Sequence, residues 1–206
     1  RRSVRRTGRL WDERIEWDEL WVPFGGETIR CRVFGAWVHG IRVLTIEPHH
    51  PRAFFGRGAV YGQHDDAERF AFFCKATLEF MQVSKRSPEI LHAHDWACAL
   101  APVLLFETYR AFGMTHPRAV LTIHNVQHQG HTNEAVLRAV HLEPARYMTE
   151  GRLLDDHRAG VVNLLKGGIV FSNFVTTVSP RYMHEIRHTD LGHGLQPVLA
   201  RHAEKL

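Results

Sequence analysis

The segments EILHAHDW (89–96) and AVLTIHNVQHQG (119–130) decide the fold of this chain. Each begins with a largely apolar run of about one strand's length. Each then stops at polar residues, Asp95 in the first segment and His124 with Asn125 in the second. A strand that only filled a core would not need these groups at its end. The two segments therefore predict neighbouring strands that deliver polar side chains to a common edge.

Helices are predicted between and after these strands. Residues 96–112 form an apolar helical pattern that is followed by Gly113, a residue that commonly ends helices. Farther on, residues 156–172 predict a helix, residues 173–179 a third strand, and Pro180 the first turn of another helix. Strands that alternate with helices form a parallel sheet. We therefore predict a Rossmann-like α/β fold with helices on both faces of the sheet.

The N-terminal part follows a different pattern. Residues 26–35 alternate apolar and polar side chains with a period of two, and residues 41–47 return as a second strand after turn glycines. This pattern predicts an antiparallel β-hairpin. Residues 65–81 predict a helix, in which Asp65 and Glu68 have the spacing of a capping box.

The composition is that of a globular domain. The 206 residues are 44% hydrophobic and 23% charged, and neither a repeat nor a Gly/Ser-rich linker divides them. We predict one domain over residues 1–206. No apolar run approaches the roughly 18 residues of a membrane span, so no membrane contact is predicted. The odd number of cysteines (Cys31, Cys74 and Cys98) favours a reducing, cytoplasmic setting over disulfides.

The two ends of the chain suggest a fragment of a longer protein, because it starts with Arg rather than Met and stops abruptly at Leu206. The net charge is +4, and arginine occupies positions 1, 2, 5 and 6. Such a segment could touch nucleic acid or an anionic surface. We favour a solvated basic end, because the charge of the remaining chain is nearly balanced, and predict no nucleic-acid partner.

Polar residues follow each of the three predicted parallel strands. In parallel α/β sheets, ligands bind outside the carboxyl ends of the strands. Asp95, His124 with Asn125, and Ser179 are therefore candidates for one cleft. The alternative is that Asp95 only caps the following helix. We expect His92 to be a core histidine that bonds to backbone.

Metal binding is a second alternative for the first segment. HAHDW (92–96) has the H-x-H-x-D spacing of zinc hydrolases. Those hydrolases usually have another His directly after the Asp, where this chain has Trp96, and no H-E-x-x-H is present. We predict no metal site.

Several longer segments resemble one family in order and spacing. They are EILHAHDWACALAPVLL, LTIHNVQHQG, NLLKGGIVFSNFVTTVSPRY and TDLGHGLQPVLARHAEKL. Over residues 40–206 the chain is similar to bacterial glycogen synthases and plant starch synthases. The resemblance implies a retaining glucosyltransferase of the two-lobed GT-B fold. That family transfers glucose from ADP-glucose (or UDP-glucose) to the non-reducing end of an α-1,4-glucan, without a cofactor or metal ion.

The resemblance also implies which part of the enzyme this is. The chain matches most of the N-terminal, acceptor-side lobe, whereas the family's Lys-Thr-Gly-Gly-Leu loop and C-terminal nucleotide-binding lobe are missing. We therefore expect the 206 residues alone to be inactive. The implied location is the bacterial cytoplasm, or the plastid if the source is a plant.

The family's motifs imply roles for seven residues. His124 and Asp95 match the imidazole and acid of the donor-glucose pocket and are the predicted catalytic residues. The predicted substrate-binding residues are Asn125 on the polar floor, Trp96 as a stacking surface, Gln129 in the following loop, and Tyr61 and Asp65 beside the acceptor channel.

Two departures from the family leave a second function open. Ala97 stands where the family has His or Gln, so that a polar contact beside the site is expected to be lost. The sequence GLQPVL (194–199) replaces the usual Gly-Leu-Asp-Gly. The alternative is a non-catalytic glucan-binding or regulatory remnant of the same family.

Overall fold

The computed structural model describes residues 12–206. The chain divides into two compact units, with the boundary between His64 and Asp65. The prediction that residues 1–206 form a single lobe stays a prediction, because one lobe can contain two such units. The arginines at positions 1, 2, 5 and 6, interpreted above as a solvated end, lie outside the described residues.

The first unit is an antiparallel sheet. Its strands are β1 (Arg14–Phe24), β2 (Glu27–Val38) and β3 (Ile41–Pro48), in the order β1-β2-β3. The predicted hairpin is confirmed as β2 and β3. Strand β1 was not predicted, because its register against β2 shifts on both sides of Trp17 and interrupts the period-two pattern.

The second unit contains five strands, three of which form a parallel sheet. Its strands are β4 (Ile90–His94), β5 (Arg118–Ile123), β6 (His131–Thr132), β7 (Val162–Asn163) and β8 (Phe174–Thr177). Strands β4, β5 and β8 pair in parallel with β5 in the middle, and β6 pairs with β7 antiparallel. The three predicted parallel strands are thereby confirmed.

Eight α-helices are present among residues 12–206. They are α1 (Asp66–Val83), α2 (Asp95–Cys98), α3 (Leu100–Leu104), α4 (Ala135–Ala139), α5 (Pro144–Tyr147), α6 (Leu164–Phe171), α7 (Pro180–His188) and α8 (Gln196–Arg201). A π-helical turn covers Leu105–Tyr109, and 3₁₀ turns cover Asp190–Gly192 and Ala203–Lys205.

Two predicted helices differ from the structure. The helix predicted over 96–112 is divided into α2, α3 and the π-turn, and Gly113 follows with a φ of +93°. The prediction over 156–172 was wrong in its first half, because α6 begins only at Leu164. The Asn163 side chain accepts a hydrogen bond from the Lys166 backbone N–H at 2.9 Å and starts the helix there.

The two faces of the parallel sheet have different surroundings. The packed face carries Ala93, Leu121, Ile123 and Val175, which join a core with residues of α2, α6, α7 and α8. The open face carries Ile90, His92, His94, Thr122, Phe174 and Thr176, which are exposed or half-buried. The hydrophobic core that the first set of residues forms with the four helices lies on the packed face.

Candidate functional site

The open face is polar because its side chains alternate with those of the packed face along each strand. The His92 ring nitrogen Nε2 lies 2.7 Å from the Thr122 hydroxyl, which lies 2.7 Å from the Thr176 hydroxyl. These bonds connect three strands through side chains. His92 is exposed and bonds to a side chain, so the expectation of a backbone-bonded core histidine was wrong.

A pair of histidines stands at the carboxyl end of this face. His94 Nδ1 and His124 Nε2 are 3.0 Å apart, and their ring centroids are 5.3 Å apart. The His92 ring lies 4.3 Å from the His94 ring on the other side. Burial and then the neighbouring His92 and His124 rings hold the pKa of His94 below its ordinary value of 6.5.

Asp95 joins the ends of β4 and β5. Its carboxylate oxygen Oδ1 accepts hydrogen bonds from the backbone N–H groups of His124 at 2.7 Å and Asn125 at 3.1 Å. Asp95 has a φ of +56°, in the left-handed region that Asp tolerates better than most residues. The structure thus brings Asp95, His124 and Asn125 together, but the carboxylate contacts the backbone at His124 and not its ring.

Asn125 begins the loop after β5. Its side-chain oxygen accepts a hydrogen bond from the Gln127 backbone N–H at 3.0 Å. This Asx-type turn leaves Asn125 exposed. The amide nitrogen of the same side chain carries two hydrogens that can donate.

Trp96 packs between two parts of the second unit. Phe70 meets its ring edge-on with centroids 5.1 Å apart. Gly130, at a φ of +66°, lies so close that an added Cβ would be 2.5 Å from a ring carbon of Trp96. A side chain at position 130 would displace the ring, which explains the glycine. Trp96 is half-buried and positions the loop that carries residues 125–130.

Gln129 has protein partners at both ends of its amide. Its oxygen accepts from Asn163 Nδ2 at 2.6 Å, and its nitrogen donates to the His193 carbonyl at 2.9 Å. Asn163 also donates to Asp155 at 2.9 Å, and His131 Nε2 lies 2.9 Å from the same carboxylate. Gln129 is 4% exposed and belongs to this buried polar network, so the structure does not bring it to the histidine pair.

Two other predicted residues, Asp65 and Tyr61, were assigned to the acceptor side. Asp65 is buried, and its carboxylate is 3.6 Å from Nε of the buried Arg69 one helical turn later. Its side chain makes no N-cap hydrogen bond to α1, so the capping-box expectation was wrong. Tyr61 is exposed in the first unit.

The end of β8 serves helix α7. Ser179 accepts a hydrogen bond from the Tyr182 backbone N–H at 3.1 Å and is thus the N-cap of α7. The Tyr182 hydroxyl in turn accepts from the Val126 backbone N–H at 3.0 Å. Ser179, expected in the cleft, therefore caps α7, and it is Tyr182 that bonds this helix to the loop after β5.

The two departures from the family pattern have local explanations. Ala97 is 6% exposed, and its carbonyl accepts a hydrogen bond from the Cys74 thiol at 3.4 Å, so this position packs against α1. In the second departure, Gln196 accepts from the Gly194 backbone N–H and donates to the Thr189 carbonyl, while Pro197 lies in the first turn of α8. Gln196 and Pro197 therefore form the start of a helix.

Sequence reasoning missed His94. It lies two residues after His92 on the same strand face, and the alternation of β4 was the available signal. Its contact with His124 depends on the parallel register that places His94 opposite Thr122. That register is a long-range property.

The residues of the metal alternative have other partners in the structure. Within residues 12–206, no group of three or more His, Cys, Asp or Glu side chains is arranged to hold a metal ion. The H-x-H-x-D residues make other contacts: His92 bonds to Thr122, and Asp95 bonds to backbone N–H groups. In the same part of the chain, no helix is long and apolar enough to cross a membrane.

Comparison with known proteins places this geometry in a family. The family described as starch synthase catalytic domain matches residues 3–201. Glycogen synthase 1 of Nitrosococcus oceani is 54% identical over 201 residues, covering 98% of this chain and 41% of its own length. Glycogen synthase 2 of Methylococcus capsulatus is 49% identical, covering 97% of this chain and likewise 41% of its own length. The chain thus spans about two fifths of these curated relatives.

A solved structure agrees with the fold. The catalytic domain of starch synthase IV from Arabidopsis thaliana, bound to ADP and acarbose, matches with a TM-score of 0.92 and 36% identity, over 94% of this chain and 39% of that one. This match confirms the predicted fold class, a parallel α/β sheet with an antiparallel hairpin as in the N-terminal lobe of a GT-B glycosyltransferase. The chain belongs to the starch synthase catalytic domain family.

Proposed function

We propose that this chain is the acceptor-side lobe of a glycogen synthase. The complete protein would transfer glucose from ADP-glucose to the non-reducing end of an α-1,4-glucan with retention of configuration. The single observation that carries the proposal is the placement of His124. The His124 imidazole lies at the carboxyl end of the parallel sheet and is hydrogen-bonded to His94. The His124 backbone N–H donates to the Asp95 carboxylate. This end of the strands is where α/β sheets bind ligands.

His124 and Asp95 have different roles in this proposal. His124 hydrogen-bonds the donor glucose and stabilises charge as the glycosidic carbon becomes oxocarbenium-like, which requires a preorganised donor at the reacting centre. In this proposal Asp95 orients His124, because its carboxylate accepts hydrogen bonds from the backbone N–H groups of His124 and Asn125. Asn125 adds amide donors for sugar hydroxyls.

The remaining predicted residues have supporting roles in this proposal. Trp96, which is half-buried, is proposed as a stacking surface for a sugar ring. Gln129 is assigned to shaping the loop, because both ends of its amide are bonded within the protein. Tyr61 and Asp65 are proposed to contact the acceptor glucan, because they match the family's motif.

The proposed partners are the sugar nucleotide, the glucan and a C-terminal lobe of the same protein. The Arabidopsis thaliana structure was solved with ADP and acarbose, which supports a nucleotide donor and a glucan-like ligand here. ADP-glucose is proposed over UDP-glucose for this reason. The bacterial relatives support a bacterial cytoplasmic location.

The test is a hybrid enzyme. This chain replaces the 201 matched residues of the Nitrosococcus oceani relative, which retains the rest of its length, and we call the product the hybrid synthase. Incorporation of labelled glucose from ADP-glucose into glycogen is measured for the hybrid synthase and for the 206 residues alone. We expect transfer by the hybrid synthase and none by the chain alone. A folded hybrid synthase that binds glycogen without transfer would contradict the proposal and favour the non-catalytic remnant.

A further inference from the structure

The contact between His94 and His124 constrains both rings. An imidazole pair joined through one nitrogen each, here at 3.0 Å, shares a single proton in the bond. If His94 donates, the His124 proton must lie on Nδ1; if His124 donates, His94 must be an acceptor. Protonating both rings would put two N–H groups against each other and break the bond. The tautomers of the two rings are therefore linked.

The surroundings of the pair favour a neutral His94. His94 lies between His92 and His124, with a centroid distance of 4.3 Å to His92, and its low pKa keeps it neutral. A neutral His94 can accept a hydrogen bond from His124 Nε2–H, which leaves Nδ1 of a neutral His124 without a proton. His94 Nδ1 is then the atom that holds the His124 ring in place.

We infer that His94 is a positioning residue: through the Nδ1···Nε2 hydrogen bond it fixes the ring orientation and the tautomer of His124. This inference rests on the proposed function, in which His124 contacts the donor glucose. His94 itself touches neither substrate in this assignment. Its contribution is to hold the other imidazole in the single orientation that a reacting sugar needs.

Two substitutions separate positioning from simple packing. His94→Leu keeps a side chain of similar bulk and removes the hydrogen bond. His94→Asn keeps a polar atom close to the position of Nδ1 and restores a bond to His124 Nε2. His116→Leu is the matched control, because His116 is exposed in the loop before β5, at the opposite end of the strand.

In the hybrid synthase, we expect His94→Leu to lower kcat about 10- to 100-fold, with KM for glycogen changed less than about twofold. His94→Asn should recover most of the loss, and His116→Leu should match the parent. A kcat for His94→Leu within about twofold of the parent, or equal losses in the Leu and Asn variants, would overturn the inference.

A second readout needs no turnover. Two-dimensional ¹H–¹⁵N spectra of the imidazoles in the 206-residue chain report which nitrogen of His124 carries the proton. We expect one defined tautomer in the parent and in His94→Asn, and an averaged pair of tautomers in His94→Leu. Averaging already in the parent would overturn the inference. If His124→Ala left turnover intact, the proposed function would fail, while the spectra would still decide whether His94 orders His124.

Discussion

The two faces of the parallel sheet differ although they are built from the same three strands. On the packed face, Ala93, Leu121 and Val175 are at most 3% exposed and join one hydrophobic core. On the open face, the intervening residues are histidines and threonines that bond to one another across the strands. Parallel sheets are normally buried on both faces. The packed face therefore contributes stability, and the open face carries the candidate site.

The open face also contains Ile90 and Phe174, which are 54% and 59% exposed. Both lie on the outer strands, β4 and β8, whereas the polar residues lie towards the carboxyl ends. The face is thus polar in the row of His94, Thr122 and Thr176, whereas the rows before it mix polar and apolar side chains. The difference between the two faces is largest at the carboxyl ends of the strands.

The largest expected effect is on the packed face. Leu121→Ala removes a fully buried side chain in the middle of the core and should lower the free energy of unfolding by about 3 kcal/mol. The neighbouring substitution Thr122→Ala, on the open face, should cost about 1 kcal/mol or less, because it removes only partly exposed hydrogen bonds. Urea unfolding of the two variants measures both values. Equal losses would contradict the division between the faces.

A smaller effect is expected where the two strand ends are joined. Asp95→Ala removes the acceptor of two backbone N–H groups and should cost about 2 kcal/mol. Asp95→Asn should cost about half as much, because its oxygen can still accept and Asn tolerates a positive φ. The same unfolding measurement separates them. If Asn were as damaging as Ala, the charge and not the acceptor geometry would be the stabilising property.

The buried network around Asp155 gives a pH-dependent effect. Burial raises the pKa of Asp155, but the hydrogen bonds from Asn163 and the His157 backbone N–H outweigh it, so this pKa lies below its ordinary value of 3.8. A lowered carboxyl pKa stabilises the folded state above the unfolded pKa, and this stabilisation is lost as pH falls through the folded pKa. Asp155→Asn should therefore flatten the acid limb of stability below about pH 4. An unchanged acid limb would contradict this assignment.

The smallest effect concerns His94. Its lowered pKa means that the folded state binds its proton less readily than the unfolded state, so stability should fall slightly as pH drops through the unfolded value of 6.5. His94→Asn should remove this part of the pH dependence, and His116→Asn should not. Thermal unfolding between about pH 7.5 and 5.5 provides the comparison. A steeper fall in His94→Asn than in the parent would reverse the predicted sign.

Much of the sheet could be predicted from the sequence, because the strand pattern is local. Residues 89–94 and 119–124 alternate or run apolar over one strand's length, and the helices between them imply parallel pairing. The helix predicted over 156–172 was wrong at its start, because Asn163 is held in a network with residues from other segments. Those long-range bonds have no signature in the local pattern.

The site was predictable only in part. Strand ends pointed to Asp95, His124 and Asn125, which the structure brings together. The partner of the His124 ring was missed, because His94 meets it only through the register between β4 and β5. Gln129 shows the opposite case: its motif suggested substrate contact, whereas burial and two amide bonds give it a place inside the protein.

The kcat of His124→Ala in the hybrid synthase decides the proposal that glucosyl transfer takes place at His124 on the open face. We expect kcat to fall by about 10²-fold, because the substitution removes a group that stabilises developing charge. The free energy of unfolding should change by less than about 1 kcal/mol, since His124 is exposed. An unchanged kcat, measured at a temperature where both proteins are fully folded, would contradict the account.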